Sequence, residues 1–150
     1  PRHVSLRLII AGRRGWLYGE SERAIARSPA RDHIIRWGAV DPDDRRLLYT
    51  GSSAFVYPSF FEGFGFPPLE AQACGAPVVV SARTSLPEVV GASALRVSPW
   101  SVDELAGAIE RILTDNRARD ALIAAGYQNV KRFSWETNAQ ELLTLFHATL

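Results

Sequence analysis

The chain has 150 residues, 47% of them apolar and 22% charged, with a formal net charge of +1. That length supports one domain with a real core, and the near-neutral balance gives no reason to expect nucleic acid or an anionic membrane as a partner. No apolar run approaches the roughly 20 residues of a membrane span, and no charged-then-apolar signal segment opens the sequence.

The single cysteine, Cys74, cannot form an internal disulfide, and it reads as a small packing residue in a reducing, cytoplasmic setting. His3, His33 and His147 are isolated, and no pair has metal-ligand spacing, so no metal is expected. The sequence contains no methionine and opens almost at once into an apolar run. Both features suggest a piece of a longer protein.

Residues 6–11 form a short apolar run closed by Gly12, the pattern of a strand with a turn at its carboxyl end. Residues 17–28 have helical composition but a thin apolar face, and Pro29 ends them. Residues 33–37 form a second strand, closed by Gly38. Asp41 then offers an N-cap, with Pro42 at the first helical position and acids after it, for a helix to about Thr50. Residues 54–57 form a third strand. A helix at residues 69–74, closed by Gly75, leads into the strand Val78-Val79-Val80-Ser81, whose lack of polar alternation predicts cover on both faces. A loop with one helical turn and a last short strand at residues 94–97 follow.

The remainder is helical. Ser101 and Glu104 form a capping-box pattern. Val102, Leu105, Ala106, Ile109, Ile112 and Leu113 recur at helical spacing. Asp115 starts the next helix, in which Gly126 is a weak point. Ser134 can cap the last, with Ala139, Leu142, Leu143, Phe146 and Leu150 on its apolar face. Trp16, Trp37, Trp100 and Trp135 read as packing residues. Trp16 is the best exception because it adjoins a strand's carboxyl end.

Short apolar strands alternating with helices predict an α/β domain, a Rossmann-like doubly wound parallel sheet. Ligands bind such sheets at the strands' carboxyl ends. The loops there are residues 12–14, 38–41, 59–67 and 81–87. One of them carries Glu62-Gly63-Phe64-Gly65-Phe66-Pro67-Pro68-Leu69-Glu70. Two carboxylates bracket a Gly-x-Gly turn at a helix start, where the dipole favours their ionised forms. Gly63 and Gly65 permit positive φ and close backbone approach. Amides at the turn suit phosphate, and carboxylates suit paired hydroxyls. A lone G-x-G remains a weak signal, equally at home in a structural turn.

The Glu62-x7-Glu70 spacing within PSFFEGFGFPPLEAQACGAPVVVS resembles the E-x7-E signature of retaining family 4 glycosyltransferases. LRLIIAGRRGW, IIRWGAVDPDDRRLLYTGSSAFVYPS, TSLPEVVGASALRVSPWSVDELAGAIERILTD and RFSWETNAQELL resemble the same family in the same order, over nearly the whole chain.

The resemblance implies the C-terminal half of a GT-B enzyme. Residues 1–150 would be its donor-binding domain, lacking the first strand–helix unit and the N-terminal acceptor domain. It implies that Glu62 faces the donor sugar, that Gly63, Phe64, Gly65 and Phe66 offer amides to sugar and diphosphate, and that Glu70 accepts hydrogen bonds from the ribose. Gly12 and Val40 would border the base. The partners implied are a nucleotide-sugar donor and the acceptor domain, with no cofactor and no metal. Membrane association would be peripheral and would belong to the other half.

The neighbourhoods AGRRGW and EGFGFP are most similar to mannosyltransferases, with GDP-mannose as donor. A UDP-sugar, or a module that binds nucleotide sugar without transferring it, are the alternatives. The chain departs from the family at Phe66 and Pro68. The family's Arg and Lys for the diphosphate lie before the strand that opens this chain, so Arg13 and Arg14 are not assigned that role.

Overall fold

A computed structural model describes residues 6–15 and 18–149. His3, Trp16, Leu17 and Leu150, each part of an expectation above, lie outside the described residues. The elements run β1 (Leu8–Ala11), α1 (Gly19–Arg27), a 3₁₀ turn (Arg31–His33), β2 (Ile34–Gly38), α2 (Pro42–Gly51), β3 (Phe55–Tyr57), α3 (Phe66–Ala73), β4 (Val78–Ser81), α4 (Leu86–Val90), β5 (Leu95–Val97), α5 (Val102–Thr114), α6 (Asn116–Val130) and α7 (Trp135–Thr149).

Every strand pairing is parallel. The hydrogen-bonded strands fall into a two-stranded sheet, β1-β2, and a three-stranded sheet, β3-β4-β5. The chain divides into two compact units between Arg45 and Arg46, inside α2.

In the first unit β1 is less covered than its apolar sequence suggests. Leu8, Ile9 and Ile10 remain 53%, 40% and 36% exposed. Helix α1 buries no residue, because its sequence GESERAIAR has little apolar surface to give. An Arg36–Glu22 ion pair and an Arg14–Glu22 contact at 3.8 Å hold this unit's charges together.

In the second unit the doubly wound arrangement is explicit. Val78, Val79 and Val80 are fully buried. Successive strand side chains point to opposite faces. Accordingly Val78 and Val80 pack with Tyr49, Ala71, Leu86 and Val90 on one face, and Val79 packs with Val97 and Ile112 on the other. Full burial of each valine is worth about 1.5–3 kcal/mol, which makes β4 the spine of this unit.

Four predicted caps form as hydrogen bonds that satisfy otherwise orphaned helix amides. Asp41 Oδ1 accepts the N–H of Asp44 at 2.8 Å. Ser101 Oγ accepts that of Glu104 at 3.2 Å, Asp115 Oδ1 that of Ala118 at 2.9 Å, and Ser134 Oγ that of Thr137 at 3.2 Å.

Gly126 does not interrupt α6, which is continuous across it. A Cβ there would lie 3.2 Å from Gln72 Cγ, so the glycine lets α6 approach α3. At that crossing Gln72 Nε2 donates to Ser93 Oγ at 2.7 Å, and Asn129 Nδ2 donates to Gln72 Oε1 at 2.9 Å. A buried polar group needs such partners to be tolerated, and here the exchange ties α3 to α6.

The apolar side of α7 is not covered among the described residues. Leu142, Leu143, Leu145 and Phe146 are all about half exposed.

Candidate active site

The parallel register pairs Tyr57 with Val80. The carboxyl ends of β3 and β4 therefore finish side by side, and residues 58–65 and 82–85 leave the sheet together. Hydroxyls at the end of β4 and in the second loop hold the first loop. Ser81 Oγ donates to the Ser59 carbonyl. Thr84 Oγ1 accepts the Glu62 N–H at 3.1 Å. Ser85 Oγ lies 3.0 Å from the Glu62 carbonyl and 2.7 Å from that of Phe64, positioned to donate to either. The Tyr57 hydroxyl donates to Glu62 Oε1 at 2.7 Å. Glu62 is thus held at its backbone and at its carboxylate, half-buried at the carboxyl edge of the sheet.

The turn that follows differs in detail from the sequence expectation. Gly65, not Gly63, takes the left-handed conformation, with φ 107°. It is the N-cap of α3, which begins at Phe66. The glycine is required there, since a Cβ would come within 2.5 Å of Leu86 Cδ2. Pro67 and Pro68 follow at the second and third helical positions. These positions tolerate proline because their amides would be orphaned anyway.

The prolines also remove two donors from the helix end. Any anion at this end must use the turn amides of Gly63, Phe64, Gly65 and Phe66, and no acceptor among the described residues takes those four.

Glu70 is likewise displaced from expectation. It lies in the second turn of α3, and the first turn carries no acid. The helix starts three residues earlier than the sequence reading, because a proline pair inside the first turn is compatible with a helix. The dipole argument therefore does not hold Glu70. Instead the Tyr49 hydroxyl donates to its Oε2 at 3.1 Å, from the core face of α2. Glu62 and Glu70 belong to one unit and flank one turn, each anchored by a tyrosine.

Gly12 and Val40 belong to the first unit. Gly12 ends β1 with φ 128°, and its N–H donates to the Gly38 carbonyl at 2.7 Å. That amide is consequently committed to joining the ends of β1 and β2. Val40 is half-buried just before α2. The guanidinium of Arg14 sits 5.3 Å above the Tyr18 ring.

The three described tryptophans are not buried as packing residues would be. Trp37, within β2, and Trp100 and Trp135, at or beyond element ends, are 46%, 64% and 73% exposed. Trp100 follows β5 and contacts the ring of Phe60 at 5.3 Å. The exposed Arg83 places its guanidinium 4.9 Å over the Trp100 ring. On the other side of the turn, Phe64 packs on Phe66 at 4.7 Å, and Phe66 stacks on Trp135 at 6.1 Å. Phe66 thus turns into an aromatic cluster. Among the described residues, no group of three His, Cys, Asp or Glu side chains could hold a metal.

Tyr57, Thr84 and Ser85 went unremarked as site residues in the sequence. The available signal was their position, at the carboxyl ends of adjacent predicted strands. Burial, followed by the hydrogen bond and the charge of Glu62, pushes the Tyr57 hydroxyl up to about 12. It stays a proton donor throughout the neutral range. Its folded value is above the unfolded value of about 10. The associated stability is therefore complete below pH ~10 and lost as pH rises from ~10 to ~12. Chemical-denaturation midpoints measured across that window should fall, and Tyr57→Phe should flatten this part of the decline.

The chain matches the family described as glycosyl transferases, group 1, over residues 1–129. It is 40% identical over 139 residues to O-antigen chain mannosyltransferase B of Escherichia coli, an alignment covering 93% of this chain and 36% of that protein. It superposes on sucrose-phosphate synthase from Thermosynechococcus elongatus with a TM-score of 0.77 and 29% identity, covering 95% of this chain and 38% of that one. It superposes on the Anabaena protein HepE, in a structure with UDP-glucose, with a TM-score of 0.81 and 23% identity, covering 95% of this chain and 41% of that one. The chain spans little more than a third of the length of these relatives. With the glycine turn, its two anchored glutamates and the parallel sheet on which they sit, the chain belongs to the group 1 glycosyltransferases.

Proposed function

We propose that this chain is the donor-binding domain of a retaining hexosyltransferase that takes mannose from GDP-mannose and passes it to a glycan or lipid-linked acceptor. One observation carries the reading: a carboxylate fixed at the sheet edge stands directly before four turn amides that have no acceptor among the described residues. Those amides and the start of α3 would stabilise the departing nucleotide diphosphate. Glu62 would orient the sugar and offset positive charge developing at its anomeric carbon. Glu70 would accept hydrogen bonds from the ribose. The acceptor wall would come from an N-terminal domain joined to this one, and the diphosphate cations from sequence before β1. Membrane association, if the enzyme has it, would be peripheral and carried by that domain.

The mannosyl donor is supported by the likeness to the E. coli mannosyltransferase. A UDP-sugar donor is the second reading, supported by the fold shared with HepE, a structure of which contains UDP-glucose. Calorimetric titration of the intact protein with GDP-mannose and UDP-glucose separates the two.

Within either reading, Glu70→Ala should weaken GDP and UDP binding about equally, because the ribose is common to both. A lost hydrogen bond to a charged group implies roughly a tenfold to hundredfold rise in Kd. Unchanged affinity for both nucleotides would remove Glu70 from the ribose.

A further inference from the structure

Thr84 is the one non-glycine residue with positive φ among the described residues, at 50°. A β-branched side chain is disfavoured there, and such outliers persist where the surroundings require them. What Thr84 does in that conformation is specific: its Oγ1 accepts the N–H of Glu62, 22 positions away. The next residue, Ser85, offers its hydroxyl to the carbonyls of Glu62 and Phe64. From the other side, Tyr57 occupies Glu62 Oε1, and no hydrogen bond among the described residues uses Oε2.

We propose that Thr84 and Tyr57 are positioning residues for Glu62, Thr84 locking its backbone and Tyr57 its carboxylate, so that one oxygen is left to face the donor sugar. The inference rests on the reading of Glu62 as the group facing the sugar. It assigns a purpose to the disfavoured conformation. A relaxed residue 84 would carry its side chain elsewhere, and the Glu62 loop would lose its backbone tie. Glu62 would then sample several orientations, and catalysis depends steeply on such alignment.

The test compares Thr84→Gly, Thr84→Ser and Tyr57→Phe in the intact transferase, reading kcat, donor KM and Tm. Glycine relieves the positive φ but has no hydroxyl. It should hold Tm within about 3 °C of the parent while kcat falls about tenfold or more. Serine keeps the hydroxyl and should retain kcat within about twofold. Tyr57→Phe should lower kcat about tenfold with donor KM changed less than about threefold, the signature of an interaction that acts on the reacting geometry.

Wild-type kcat in Thr84→Gly and Tyr57→Phe would overturn the proposal. So would losses that track Tm and are shared by Thr84→Ser, which would mean support of the fold alone. Glu62→Gln assayed alongside separates the two levels. If it is inactive while the other variants are normal, positioning alone is refuted. If it is fully active, the reading of Glu62 falls first.

Discussion

Glutamine at position 62 is expected to lower kcat of the intact transferase by about 10²- to 10³-fold, with nucleotide affinity nearly unchanged. The substitution is close to isosteric, and its amide oxygen can still accept the Tyr57 hydroxyl that lies 2.7 Å from Oε1. The loop should stay in place, since Thr84 and Ser85 hold it through the backbone of residue 62. What disappears is the negative charge. A fixed charge aimed at developing positive charge acts in the transition state and little in the ground state, so its removal falls on kcat. Steady-state kinetics with the donor and calorimetry with the nucleoside diphosphate measure the two halves of this expectation. Turnover within about threefold of the parent would exclude Glu62 from the chemistry.

The second large effect is expected at Gly65, where alanine should damage stability and ligand binding together. The backbone is left-handed there, with φ 107°, which costs a residue bearing a Cβ about 1–2 kcal/mol. The new Cβ would also fall 2.5 Å from Cδ2 of Leu86, a fully buried side chain. Forcing a packed core to yield adds about 1–3 kcal/mol. The sum, about 2–5 kcal/mol, should lower the Tm of a domain of this size by about 5–15 °C. Because Gly65 is the N-cap of α3, the amides on either side of it shift as well, and nucleotide affinity should fall in the same variant.

Shortening Leu86 to alanine beside Gly65→Ala removes the collision but not the φ penalty. The cost of the pair should therefore be smaller than the sum of the two single costs. Strict additivity, or a neutral Gly65→Ala, would mean that the turn is not built as described.

Much of this protein was legible from local chemistry. Val78-Val79-Val80 announced a strand covered on both faces, and it packs two separate clusters. Asp41, Ser101, Asp115 and Ser134 announced helix starts, and each accepts the amide hydrogen bond expected of a cap. Caps and strand periods act within a few residues, so the sequence carries them openly. Glu62 and Glu70 were likewise visible through their spacing around the glycine turn.

Other features were decided only when distant segments met. Which glycine of the turn is left-handed depends on where α3 begins, and its start at Phe66 with two prolines in the first turn moved Glu70 into the second turn. Gly126, a weak point of α6 by its sequence, is where Gln72 of α3 packs against that helix. The apolar strand β1 proved exposed because α1 has too little apolar surface to cover it. Above all, nothing near Glu62 in sequence reveals Thr84 or Ser85. The parallel pairing of β3 with β4 brings their loops together across more than 20 positions. Local composition determined the elements and the motif. The register between strands, a long-range property, decided what holds the motif's first glutamate in place.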